Sequence, residues 1–223
     1  MKKINKTKIL STVYKKWENK LEEHPKYNNS KVRKEIYIDI ATNLLNIQGG
    51  LCAYTEIFLC NKNIVDDNNW KAGRFKKQNI TIKDICKGGG LDHFDASIKK
   101  EKAWLWDNFF FVDTDVNNKK SDKEVDSILK PDTKDYDEYK LLEYNIDEHI
   151  FIANTGLDIQ TQKRVNNMIL TLGINQVKNV RKEYLEEKIL DIELKYKTWE
   201  QTSVFQFLTA FEMCKITMNN EKI

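Results

Sequence analysis

A chain of 223 residues, with 40% hydrophobic and 11% aromatic side chains, has ample material for a packed core. That excludes an intrinsically disordered protein and fits one generous domain or a small catalytic core with helical additions. The formal net charge of +3 is too small to announce a nucleic-acid partner by itself, so any such partner has to be recognised through local clusters.

Lys and Arg crowd the first 34 residues and recur at Arg74, Lys76 and Lys77 and at Lys99, Lys100 and Lys102. Four cysteines, Cys52, Cys60, Cys86 and Cys214, form no C-x-x-C pair and read as reduced thiols. The N-terminal stretch lacks the apolar core of a signal peptide, and no apolar run reaches the ~18 residues of a membrane span. The expectation is a cytoplasmic protein without a membrane partner.

From Lys8 to about Leu21, the residues Ile9, Leu10, Val13, Tyr14, Trp17 and Leu21 recur at helical spacing, and His24-Pro25 then breaks the pattern. A second helix is predicted from Ser30 through Val32, Ile36, Ile40, Leu44 and Leu45 to Gln48, with Gly49-Gly50 as its stop. Together residues 1–50 read as an N-terminal helical arm or lid.

The aromatic, β-branched segment 51–59 then reads as a strand or a tight turn, and 61–69 as a loop. Three glycines, Gly88 to Gly90, allow a tight bend before a strand ending at His93. The apolar run from Trp104 to Asp113 has the density of a buried strand. Helical spacing resumes through Val116, Val125, Ile128 and Leu129 until Pro131.

Two strands followed by a helix make a ββα unit within a core of residues 51–135. The remainder, 136–223, reads as a C-terminal helical region. It holds a hairpin around Asn145 to Glu148 and then helices over 158–172, 176–196 and 199–218, the first stopped by Gly173. The fold class predicted is α+β, mostly helical.

The chemistry concentrates in residues 91–120. Hydrolysis of a phosphodiester needs an activated water, neutralised phosphate charge and help for the departing oxygen; a single divalent cation can supply the last two. His93 is the candidate base, since an imidazole with an ordinary pKa near ~6.5 is largely neutral at pH 7. Asp92 and Asn117 offer a carboxylate and an amide oxygen suited to a hard cation, Mg2+ or Mn2+. Asn108 is read as orienting the imidazole or its loop by hydrogen bonds. Lys119 and Lys120, beside Asn117, are candidate DNA phosphate contacts.

Asp92-His93, then Trp106-Asp107-Asn108, then the run from Val116 to Asp122 resemble the HNH, or ββα-metal, nuclease superfamily in its Asp-His/Asn/Asn form, as in the HNH domain of RNA-guided CRISPR nucleases. The resemblance implies a ββα-metal core with metal on Asp92 and Asn117, His93 as base and Asn108 orienting it. A narrower similarity is to the HNH subunits of Septu and retron anti-phage systems. It rests on the segment Gly50 to Glu56, on Leu129-Lys130-Pro131, and on Thr171 to Asn175 with Arg181. It implies a nuclease effector of phage defence working with an ATPase partner.

Many HNH nucleases bind structural zinc through two C-x-x-C pairs. The matching positions here are Cys52 and Thr55, then Asp113 and Val116, so no structural zinc is expected. Ala96 stands where relatives often carry a proline. A catalytically inactive nucleic-acid-binding or scaffold subunit and an RNA-cleaving nuclease are the alternatives.

Overall fold

The computed structural model describes residues 1–18, 26–28, 30–76 and 81–220. The chain is of the mixed α+β class: helices join three two-stranded antiparallel sheets among the described residues. It divides into two units, Ile4–Ala53 with Phe58–Val125, and Met1–Lys3 with Tyr54–Ile57 and Asp126–Ile223. Every candidate site residue falls in the first.

The first unit begins with α1 (Thr12–Glu18) and α2 (Ser30–Ile47). Helix α1 is shorter at its start than the spacing predicts, and the expected end at Leu21 and break at His24-Pro25 lie outside the described residues. Helix α2 buries Ile36, Ile40, Ala41, Leu44 and Leu45, spaced along one face. It is thus an inner helix of the unit. Gly49 and Gly50 end it at φ +68° and +80°, a conformation side chains rarely adopt, and the Gly50 N–H donates back to the Leu45 carbonyl at 2.8 Å.

The next segment is a tight turn closed by a bridge between Leu51 and Phe58. The expected loop at 61–69 instead holds α3 (Lys62–Val65), started by the Asn61 side chain, and a 3-10 turn at Asp67–Asn69. A minimal hairpin of β1 (Trp70–Lys71) and β2 (Arg74–Phe75) follows, turning through Ala72 and Gly73 at positive φ. Then comes α4 (Ile82–Ile85).

The predicted ββα unit is present as β3 (Gly90–His93), β4 (Phe109–Val112) and α5 (Thr114–Lys120). The strands pair antiparallel with His93 opposite Phe109 and Asp92 opposite Phe110. All four β4 residues are buried, which is why the run carries no alternation. The side chain of Gln48, just past α2, serves the edge of β4. Its amide donates to the Phe111 carbonyl at 2.8 Å and its Oε1 accepts from the Phe111 N–H at 3.0 Å.

The helical spacing read through Leu129 is not one helix. Ser121, at φ +53°, ends α5, Val125 lies outside any helix, and Ile128 and Leu129 belong to a 3-10 turn at Ser127–Leu129. Side chains at helical intervals do not fix the backbone between them when Ser-Asp-Lys offers a stop.

In the second unit, α6 (Glu138–Leu141) leads into the hairpin of β5 (Leu142–Asn145) and β6 (Ile150–Ala153), as expected. Helices α7 (Ile159–Thr171), α8 (Lys178–Glu193) and α9 (Leu208–Asn220) complete it. Asp158 caps α7 with bonds to the N–H groups of Gln160 and Thr161. Helix α9 starts later than the expected Trp199, because Phe207 takes φ +55° before it. Arg181 is fully buried and donates to the carbonyls of His149 and Ile174 and to Asn175 Oδ1. No helix among the described residues is long and apolar enough to cross a membrane.

Candidate active site

Gly89 makes the approach to β3 possible. At φ +107° its backbone lies so close to the Val112 carbonyl and the Phe111 ring that a Cβ would clash with both. The strand then carries Leu91, Asp92 and His93 inward, all buried.

Asp92 meets α5. The Lys120 ammonium donates to Asp92 Oδ1 at 3.1 Å and to the His93 carbonyl at 2.7 Å, and the Lys120 side chain is fully buried. Lys120 is therefore turned inward, away from the solvent-facing position that a phosphate contact needs. Of the two candidate lysines, Lys119 is the exposed one.

His93 faces an aromatic wall, with the rings of Tyr27 and Phe109 each 4.7 Å from the imidazole centroid. Its Nε2 lies 2.8 Å from the Ala103 carbonyl. A carbonyl only accepts, so Nε2 carries the hydrogen, and in the neutral ring the lone pair is on Nδ1.

Burial lowers the imidazole pKa to about 4; the Ala103 bond opposes the shift, and the positive charges of Lys99 and Lys120 add to it. The ring is thus neutral at pH 7, with Nδ1 able to accept a proton. The same Lys120 charge acts on both Asp92 and His93, which ties the two residues electrostatically although they contact different elements.

Asn108, the last residue of a 3-10 turn at Trp106–Asn108, braces the loop that follows His93. Its Oδ1 accepts from the Asp95 N–H at 2.8 Å and its Nδ2 donates to the Asp95 carbonyl at 2.9 Å. The bond pair pins the loop like a rung of sheet. Asn108 thus acts on the segment carrying His93, as a positioning residue.

Ala96 has φ −71°, inside the range a proline would impose, so the alanine keeps the backbone conformation without the ring. Two further contacts hold the return path to β4. The buried Lys6 ammonium donates to the carbonyls of Trp106 and Phe109, and the Tyr14 hydroxyl to that of Trp104.

The sequence places Asn117 just past a buried strand, where it could be taken for the opening of the next helix; it is not. Asp113 is the N-cap, accepting from the N–H groups of Asp115 and Val116, and Asn117 is the fourth residue of α5. It is half-buried and lies one turn before Lys120 on α5. The sequence reading had missed the inward role of Lys120. Its signal was present in the spacing: Lys120 lies four positions after the buried Val116 and shares that face.

Among the described residues no group of three or more His, Cys, Asp or Glu side chains is arranged to hold a metal ion. A cation here would therefore have Asp92 and Asn117 as side-chain donors, both oxygen. That set suits a hard ion that keeps most of its ligands as water and substrate oxygen. The Lys120 ammonium already balances the Asp92 carboxylate, so a cation there would be held weakly. By donor type alone, Asp92 and Asn117 suit Mg2+ or Mn2+. No protein-family model matches the chain, and no curated protein sequence matches it.

Proposed function

We propose that this chain is a metal-dependent endonuclease of the HNH, or ββα-metal, kind that hydrolyses phosphodiester bonds of DNA. The observation that carries the reading is the single hydrogen bond from His93 Nε2 to the Ala103 carbonyl, at the end of a strand that also holds Asp92 and faces α5. It leaves a neutral imidazole whose Nδ1 takes a proton from water.

Asn108 holds the loop after His93 so that the ring keeps its aim. Asp92 and Asn117 would hold one Mg2+ or Mn2+, which when bound neutralises phosphate charge and stabilises the departing oxygen. Lys119, exposed on the same helix, would meet a neighbouring DNA phosphate. The resemblance to the nuclease subunits of anti-phage systems extends the proposal to a cytoplasmic defence effector with an ATPase partner. A net charge of +3 then predicts weak binding to DNA by the chain alone and stronger action in the complex.

The test is nicking of supercoiled plasmid in Mg2+ and in Mn2+, with the wild type beside His93→Ala. Loss of the general base lowers the cleavage rate by about 10²- to 10⁴-fold. Cleavage that survives His93→Ala, or none by the wild type even with a cognate partner, refutes the reading. The second outcome favours the scaffold alternative, for which the Lys120–Asp92 pair is itself the motive: an ammonium can balance that carboxylate without a metal. Structured RNA in place of plasmid separates the two nucleic acids as substrate.

A further inference from the structure

Lys120 is a fully buried cation whose ammonium donates to Asp92 Oδ1 and to the His93 carbonyl, both part of the proposed site. An ammonium is costly to bury unless it is paired. The pair places one positive charge on the very carboxylate assigned to a divalent cation, while the same ammonium ties down the carbonyl of the base-bearing residue. Two cations drawing on one carboxylate repel each other, so each weakens the hold on the other.

We propose that Lys120 is the resident counter-ion of the site. It is a positioning residue that holds Asp92 and the end of β3 in place without metal and weakens divalent binding, so that a cation is held firmly only when a phosphodiester adds its own negative charge. This inference rests on the assignment of Asp92 as a metal ligand. It makes metal and substrate bind cooperatively: substrate charge offsets the ammonium, and the site stays ordered between turnovers. The fixed position of Lys120 at the end of a capped helix suits this role, because the ammonium does not have to leave for the strand to keep its geometry.

The experiment measures Mn2+ binding to the purified protein by the paramagnetic resonance signal of free Mn2+. Wild type, Lys120→Gln, Lys120→Met, Lys120→Arg and Asp92→Asn are compared, with circular dichroism to establish folding. Removing the charge is expected to tighten Mn2+ binding about tenfold in the Gln and Met variants. Lys120→Arg, which keeps the charge, stays near the wild type. A merely structural lysine would leave the affinity unchanged or lower it.

Folded Gln or Met variants that bind Mn2+ no more tightly than the wild type overturn the proposal. If neither neutral variant folds, the His93→Ala protein, which the proposed chemistry makes inert, supplies the second measurement. Duplex DNA should tighten its Mn2+ binding about tenfold, and an unchanged affinity overturns the proposal. Mn2+ binding that is equal in wild type and Asp92→Asn shows instead that the metal is not on Asp92. The nuclease assignment of that residue then fails, and this inference with it.

Discussion

Acidification tests the burial of His93 directly. The folded ring has its pKa lowered to about 4 by burial, with Lys99 and Lys120 adding to the shift against the Ala103 bond. In the unfolded chain it returns to about 6.5. Between these values the unfolded state binds the proton and the folded state does not, so His93 contributes full stability above about pH 6.5 and loses it as pH falls toward 4. Worked between pH 7.5 and 5, the loss is about 2 kcal/mol.

Urea denaturation followed by tryptophan fluorescence at the two pH values reads it, with His93→Gln as reference. That variant keeps an amide able to donate to the Ala103 carbonyl but has no proton to bind. Burial also lowers the pKa of His149, against the opposing charge of Glu186, and adds loss of the same sign. Both proteins share that background, so the difference between them isolates His93. Equal pH dependence in the two proteins would refute the burial of a neutral ring.

Two other expectations follow from single contacts. Asn108→Ala deletes both bonds to the Asp95 backbone and leaves the peptide without its partner, at a cost of about 1–3 kcal/mol in urea denaturation. Cleavage should fall further than the stability loss explains, because the base loses its aim. Gly50→Ala forces a side chain into φ +80° and against the Cys60 carbonyl, and should destabilise the fold by about 1–3 kcal/mol in the same assay. A neutral result at either position would show that its local geometry is not needed.

Local patterns that one element satisfies alone were legible. The stop at Gly49-Gly50, the strand ending at His93, the hairpin around Asn145 to Glu148 and the helix over 158–172 all rest on turn chemistry and short-range period. What escaped depended on distant partners. Gln48 reads as the polar tail of a helix, yet it serves as a partner to β4. The hairpin at Trp70–Phe75 is too short to show alternation, and α9 loses its first expected turns to one residue at positive φ. At the site, Asp92, His93 and Asn108 were legible as a spacing. Lys120 was read from its charge as a surface group, although its position four residues after Val116 put it on the buried face.

That misreading has a physical lesson about charge in this chain. Two lysines, Lys6 and Lys120, are buried with their ammonium groups on backbone carbonyls at the two ends of the loop between β3 and β4. One grips Trp106 and Phe109 where β4 begins, and the other grips His93 where β3 stops. A carbonyl at a strand end has no ladder partner there, and an ammonium with three donors can satisfy several such groups at once. Between the grips, Asn108 ties Asp95 and Tyr14 holds Trp104, so side chains anchor the loop along its length.

Such anchoring fixes where the imidazole stands without surrounding it with carboxylates. It also explains why a formal charge of +3 says little about the site. Burial governs His93 first, then the Ala103 bond and the charges of Lys99 and Lys120, and Asp92 is met by the buried Lys120; a count over the whole sequence averages such local effects away.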